Sequence, residues 1–229
     1  MHVNCIIDLH DDIRRFFALY SLVKKPIREY LSDGWRTMPE SMSLKKFERP
    51  LLKTQSVLGF AADFGRFIRH FVNALPNCVA CTDILPDYVI FLREQVGVDV
   101  FYYASSPEEI TYPQQHKLIF VASQATHLPV ERWVALLKHP HRRLAPGGLL
   151  VFSVRNEKAA MEVGVTSERR RTHFIRSIES LHLGSYEYGT TFRTDTFVTA
   201  QIESSLSCKP VLHKHIAFWV GQDAVIVSA

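Results

Sequence analysis

Asp83 closes the apolar stretch Val79-Ala80-Cys81-Thr82, 18 residues after Gly65. A carboxylate at the end of a second strand can accept hydrogen bonds from ribose hydroxyls, provided a first strand and a tight turn precede it. The run Ser56-Val57-Leu58-Gly59-Phe60-Ala61-Ala62-Asp63-Phe64-Gly65-Arg66 supplies both. Where such a strand bends into a helix, backbone N–H groups and the helix dipole favour a phosphate or carboxylate. Bend and acid together read as a site for a ribose-containing cofactor, and they leave nicotinamide, flavin and S-adenosylmethionine open. Asp83 has a second reading, as a capping acid for the helix that begins near Pro86. Further along, Ser123 and His127 stand in Ser123-Gln124-Ala125-Thr126-His127-Leu128-Pro129, just after another apolar stretch, Leu118–Ala122. His127 reads equally well as an imidazole that caps or packs against the helix Val130–Lys138.

Other chemistry-bearing pairs carry less. Cys78 and Cys81 form C-x-x-C in an extended segment, where residues three apart point to opposite faces. No second such pair completes a zinc site, so these read as packed thiols. His213 and His215 alternate on one face of a strand, but the sequence places no carboxylate or cysteine beside them, and no metal site is expected. His139 and His141 flank Pro140 in an expected loop and read as surface. Gly-x-Ser-x-Gly, His-Glu-x-x-His and the phosphate-binding loop ending in Lys-Ser/Thr are all absent, which removes support for hydrolase and nucleoside-triphosphatase chemistry.

The elements that must position these residues follow from pattern. At 229 residues, 47% apolar and 22% charged, the chain has ordinary globular composition. Strands are expected at Ser56–Ala61, Cys78–Thr82, Asp99–Tyr103, Leu118–Ala122 and Leu149–Val154, with helices at Arg66–Leu75, Pro86–Val96 and Val130–Lys138 between them. Such alternation implies an α/β, doubly wound sheet, mostly parallel, with ligands beyond the strands' carboxyl ends. Two closing strands, Val211–Trp219 and Ala224–Val227, predict a C-terminal antiparallel hairpin. The charged stretch Glu168 to Ser180 is expected to be helical, and a further helix is expected at Thr196–Ser204. Ahead of all this, apolar spacing from Ile13 to Val23, with Asp11 and Asp12 at its start, predicts a helix. A shorter one should run through Tyr30 until Asp33-Gly34 breaks it, with Arg36 to Pro50 irregular. Residues 1–52 are thus expected to form a helical cap or edge cover, and 53–229 the Rossmann-like domain.

Lys plus Arg (27) exceed Asp plus Glu (23) by four. Arg169-Arg170-Arg171 and Lys45-Lys46 are the tight basic runs, and both read as solvated surface, so no nucleic-acid partner is expected. No apolar run approaches the roughly 18 residues that span a bilayer, and the N-terminus has no secretion-signal pattern, so a soluble, cytoplasmic protein without membrane partners is expected.

The order of these features resembles the class I S-adenosylmethionine-dependent methyltransferases. Pro146-Gly147-Gly148 before Leu149–Val154 and Ser123…Thr126-His127-Leu128-Pro129 after the fourth strand carry the likeness best. Tyr188-Gly189-Thr190-Thr191-Phe192 and Gly221-Gln222-Asp223-Ala224-Val225-Ile226 look like members that act on small molecules or sugars. The resemblance implies S-adenosylmethionine as cofactor, a small-molecule or sugar-like acceptor, and cofactor contacts from Phe60, Ala61, Ala62, Asp63, Gly65, Asp83, Ile84 and Ser123. His127, with Tyr188 second, becomes the candidate for contacting the acceptor, and His127 the candidate base. The family's acid-x-Gly-x-Gly-x-Gly motif falls here on Gly59, Ala61, Asp63 and Gly65, so the last glycine alone is kept. Asp63 would lie near the amino-acid end of the cofactor, pairing with its ammonium or repelling its carboxylate. The altered loop also implies an alternative, a methyltransferase-like binding or scaffolding domain without activity.

Overall fold

Val57, Leu58 and Phe60 are buried, so the strand they form, β1 (Val57–Phe60), has no solvent face and reads as an unbroken apolar run. In the computed structural model, residues 3–20, 25–42, 56–103, 110–165, 171–176, 183–218 and 221–229 are described. They group into two compact units, Met1–Gln115 and His116–Ala229.

The first unit begins with helices α1 (Asp12–Tyr20) and α2 (Pro26–Met42), then alternates β1, α3 (Ile68–Ala74), β2 (Val79–Asp83), α4 (Pro86–Phe91) and β3 (Asp99–Tyr102). Its strands pair in parallel in the order β3-β2-β1. The expected strands and helices are present with small shifts at their ends. The helix expected to run unbroken from Pro86 to Val96 instead changes after Phe91 into a π-helical turn, Leu92–Val96, closed by Gly97 in the left-handed conformation. Phe64, Ile68, Cys81, Tyr88, Phe91, Leu92 and Val100 belong to one buried cluster, and each such fully buried large apolar side chain contributes about 1.5–3 kcal/mol. Cys81 is buried and Cys78 half-buried, both free thiols as read.

The N-terminal helices correct one expectation. Asp33-Gly34 does not break α2, which continues to Met42 and so takes in the start of the stretch expected to be irregular; 43–50, with Lys45-Lys46, lies outside the described residues. Gly34 is buried, and a Cβ there would stand 2.3 Å from the Arg66 carbonyl oxygen. This glycine serves a close approach of two backbones rather than a turn. Asp11 caps α1 as expected, accepting the Arg14 N–H at 2.9 Å, and its other oxygen accepts the Tyr30 hydroxyl at 2.5 Å.

The second unit contains β4 (His116–Val121), a 3-10 turn (Gln124–Thr126), α5 (Val130–His141), β5 (Leu144–Val154), α6 (Glu157–Glu162), β6 (Thr172–Arg176), β7 (Gly189–Arg193), α7 (Asp195–Leu206), β8 (Leu212–Phe218) and β9 (Gln222–Ser228). Its main ladder runs β4-β5-β9-β8, parallel between the first two and antiparallel beyond. The closing hairpin is therefore present, although Gln222 and Asp223 belong to β9 rather than to its turn. Pro146-Gly147-Gly148 is a bulge inside β5, not a turn ahead of it: the register jumps from His116↔Leu144 to Leu118↔Leu149. The expected helix over Glu168 to Ser180 is also corrected. Thr172–Arg176 is a strand and pairs antiparallel with β7 in a separate two-stranded sheet. Its core, Thr-His-Phe-Ile, is rich in the β-branched and aromatic residues that strands favour, and the flanking charges masked that signal.

Candidate functional site

In the first unit the site begins where β1 ends. Ala61, Asp63 and Gly65 have φ of 54°, 55° and 70°, so every second residue of the bend lies in the left-handed region that glycine enters without cost. The loop keeps the shape of a glycine-rich turn with one glycine in it. Two backbone bonds help to fasten it: the Ala62 N–H donates to the Thr82 carbonyl and the Gly65 N–H to the Ala62 carbonyl, each at 3.0 Å. Gly65 cannot be replaced cheaply, because a Cβ would lie 2.8 Å from Leu92 Cδ2 on top of the unfavourable φ. We expect Gly65→Ala to lose about 2 kcal/mol, from about 1–2 kcal/mol of backbone cost plus the contact. A lowered urea midpoint at unchanged slope would record it. At Gly59, where the resembled motif carries an acid, Ile68 fills the space that a side chain would need.

Asp83 stands at the end of β2 as read, and the structure shows what its carboxylate holds. Oδ2 accepts the Asp63 N–H at 2.8 Å, and Oδ1 accepts the Ile84 and Leu85 N–H groups at 2.8 and 3.1 Å. The Ile84 and Leu85 amides both precede α4, whose N-cap Leu85 has no side-chain cap bond, so the capping reading is not realised and the carboxylate instead clamps the bend. Asp83 is only 3% exposed, and burial raises its pKa to about 6 against the pull of those amides. Asp63 is half-buried, and its carboxyl is pushed well above the usual range by burial, then by the Asp11 and Asp83 carboxylates. Arg66 pairs with Asp33, and its charge pulls in the other direction on Asp63.

Arg69, absent from the sequence reading, ties this region together. Its fully buried guanidinium donates to the Phe64 and Gly65 carbonyls, both at 2.9 Å, and to those of Asn4 and Ile6 at 3.1 and 2.7 Å. The first residues of the chain are thereby fastened to the last residues of the bend. Only the position of Arg69 one turn after Gly65 could have signalled this.

In the second unit, Ser123 adopts φ 61° in the bend after β4, with its N–H on Ser153 Oγ at 2.9 Å. Its hydroxyl lies 3.2 Å from His127 Nε2 and receives the Gln222 amide N–H at 3.1 Å. His127 Nδ1 faces the Gly189 carbonyl at 2.8 Å, which assigns a proton to Nδ1 and leaves Nε2 toward the Ser123 hydroxyl, itself also 3.3 Å from Thr126 Oγ1. Tyr188 stacks on His127 with ring centroids 4.6 Å apart and planes 13° from parallel. Ser123, His127 and Tyr188 are therefore brought together. Gln222 joins them unforeseen. Beneath the bend, the Arg193 guanidinium donates to the Ala125 and Leu128 carbonyls at 2.6 and 2.7 Å.

His213 and His215 share a face as expected, but the expectation of no adjacent carboxylate is corrected. Asp223 and Asp195 both stand beside them.

No protein-family profile and no curated protein sequence matches the chain. Solved structures do. The chain is similar to a SAM-dependent methyltransferase from Leishmania major, at 16% identity over 99% of this chain and 88% of that one, with a TM-score of 0.61. It is similar to Streptomyces venezuelae DesVI at 12% identity, over 96% and 98% of the two chains, with a TM-score of 0.60. It is also similar to Burkholderia thailandensis 1,6-didemethyltoxoflavin-N1-methyltransferase, solved with bound 1,6-didemethyltoxoflavin and S-adenosylhomocysteine, at 15% identity over 97% and 91%, TM-score 0.59. The fold is that of the class I S-adenosylmethionine-dependent methyltransferases, a mixed α/β architecture, mostly parallel with an antiparallel C-terminal pair. These relatives lend no support to the inactive-scaffold alternative. Among the described residues no helix is long and apolar enough to cross a membrane.

Proposed function

We propose that this chain transfers a methyl group from S-adenosylmethionine to a small-molecule acceptor. The observation that carries the proposal is the bend Phe60 to Gly65. It holds left-handed backbone at Ala61, Asp63 and Gly65 although two of the three pay about 1–2 kcal/mol for it. Strain of that kind persists where surrounding structure enforces it, and here Asp83, Thr82 and Arg69 do so.

The residues fit an adenosyl group in part. The backbone of Phe60, Ala61, Ala62, Asp63 and Gly65 has the shape to lie beneath it, and Ile84 follows the acid that would face its ribose. Asp83 carries four acceptor lone pairs against the three amides named above. The Ala62 amide acts on the same carboxylate, so a ribose contact would exchange with one of these N–H groups. Asp63 offers a carboxylate toward the cationic end, and Arg69 fastens the Asn4 and Ile6 backbone to this region. In the second unit the proposal gives Ser123 a cofactor contact, and His127 and Tyr188 the acceptor. Bound S-adenosylmethionine would supply a methyl carbon activated by its sulfonium. The chain's part is alignment, and for a hydroxyl or ammonium acceptor a base that takes one proton. His127 Nε2 is positioned for that task, because Gly189 fixes its tautomer and Tyr188 its plane.

A thermal titration with S-adenosylhomocysteine tests the reading. At 100 times the dissociation constant the melting temperature should rise by about 5–10 °C. Absence of any rise at millimolar ligand would remove the reading. Asp63→Gly would then separate two senses of the altered loop: tighter binding means that Asp63 repels the ligand, weaker binding that it pairs with it.

A further inference from the structure

We propose that Asp195, His213, His215 and Asp223 form a binding site for a zinc-class divalent cation. The cluster lies wholly within the second unit and needs no part of the methyl-transfer site. One donor atom from each residue can be chosen so that all lie within 4.8 Å of one another. The individual separations are close to what a single ion needs. His213 Nε2 is 3.3 Å from Asp223 Oδ2 and 3.7 Å from Asp195 Oδ1. His215 Nδ1 is 2.9 Å from Asp223 Oδ2 and its Nε2 is 3.4 Å from Asp195 Oδ2, and a single ion would take one of these two nitrogens. Ligands at about 2.0–2.1 Å from a tetrahedral zinc stand about 3.3–3.4 Å apart.

Hydrogen bonding alone accounts poorly for this arrangement. His213 Nε2 faces two carboxylates and has at most one proton to give. Asp223 Oδ2 faces both imidazoles while also receiving the Asn156 amide at 3.0 Å. A cation that takes one nitrogen from each ring and one oxygen from each carboxylate would satisfy all four groups together. Two imidazoles with two carboxylates is a donor set that suits zinc and its neighbours rather than magnesium or calcium.

The backbone is shaped to build it. Between the pairs Lys214↔Ala224 and Phe218↔Gln222, three residues of β8 oppose the single Asp223 of β9. This bulge puts Ile216 at φ 49°, an outlier for a β-branched residue. The Ile216 N–H thereby reaches Asp223 Oδ1 at 2.9 Å, and Asn156 holds the same oxygen at 2.9 Å. Asp223 is fully buried with its orientation fixed by both, as supporting partners fix a metal ligand. Asp195, in the first turn of α7, faces the rings from the other side. The ion would clip that turn to the edge strand β8 and leave His215 and Asp195 reachable from solvent.

The test uses the full chain, stripped with a chelator and titrated with Zn2+, with Mg2+ as control. His215→Ala and Asp195→Asn are the variants, chosen because both side chains are about half exposed and their loss spares the core. The wild type should gain about 5–10 °C in melting temperature at 100 times its dissociation constant for Zn2+, with no gain from Mg2+. Each variant should bind Zn2+ more weakly by more than the about 10–100-fold that loss of an outer partner costs. Co2+ should give the intense visible bands of a tetrahedral site in the wild type, and lose them in His215→Ala. A wild type indifferent to Zn2+, or variants that bind within about threefold of it, would overturn the proposal. Zinc taken up by other histidines or by cysteines would persist in both variants and is recognised that way.

Discussion

Arg193→Ala should cost about 3 kcal/mol or more and loosen the bend that carries Ser123 and His127. Arg193 is 1% exposed, and its guanidinium lies 4.7 Å from the Trp133 ring centroid. Truncation opens a cavity against Trp133, a change that costs about 2–5 kcal/mol for side chains of this size. It also removes the donor on the Ala125 carbonyl, about 1–3 kcal/mol for a buried acceptor left alone. The Leu128 carbonyl keeps the Thr191 hydroxyl at 2.8 Å and suffers less. Acting against these losses is the charge itself. Burial lowers the Arg193 pKa to about 9, and among the described residues Nε bonds to nothing. Arg193→Met should therefore recover half or more of the loss, since it refills the volume and removes a desolvated cation. The Met variant would still leave the bend without its two donors. Urea midpoints give the stability of both variants, and hydrogen exchange at Thr126 and His127 reports the bend. Stabilities within about 0.5 kcal/mol of wild type for both variants would show that the guanidinium holds nothing in place.

Much of the scaffold around these groups could be read from residues alone, because it rests on periods. The apolar runs that became β1, β2, β3, β4 and β5 alternate with helical spacing, and a parallel sheet buried on both faces leaves that imprint. Asp83 could be located for the same reason. What it holds could not, since its partners are backbone amides of Asp63, Ile84 and Leu85 that no side-chain motif records. The loop geometry was half hidden: Asp63 is a residue that tolerates the left-handed region, but Ala61 adopts a glycine conformation that its identity argues against. β6 and β7 were missed because each is short, and the charged flank of Thr172–Arg176 outweighs its core in any pattern. The carboxylates around His213 and His215 were unreadable for another reason. Asp195 is distant in sequence, and Asp223 faces the rings only because β8 bulges around it. Gly34 shows the limit most plainly, since a glycine before a polar stretch signals a break unless a second backbone comes close.

Replacing Asp83 by Asn should reshape the pH dependence of stability, and its sign follows from the raised pKa. An unfolded aspartate titrates near its ordinary 3.8, whereas Asp83 in the fold titrates at about 6. Between these values the native state binds more protons than the unfolded one, so stability falls as pH rises through that window. The difference amounts to about 3 kcal/mol, complete above pH 6 and absent below 3.8. His70 and His116, both lowered to about 4 by burial, act with opposite sign over the same range. The raised carboxyls of Asp11, Asp33 and Asp63 act with the same sign as Asp83, so a wild-type profile mixes several groups. The informative quantity is the stability of Asp83→Asn minus that of the wild type, which should rise by about 3 kcal/mol from pH 4 to pH 7. The offset of that curve carries a separate cost, because the Asn amide can face the Asp63 N–H only with its oxygen and must turn its NH2 toward another donor or away. A difference constant with pH would show that Asp83 titrates normally, and that the bend is not held by a strained carboxylate. The same linkage bears on the proposed cofactor. A cationic group placed beside Asp63 and Asp83 favours their ionised forms, so its binding releases protons, and its affinity should climb as pH passes 6 in the wild type and climb less in Asp83→Asn.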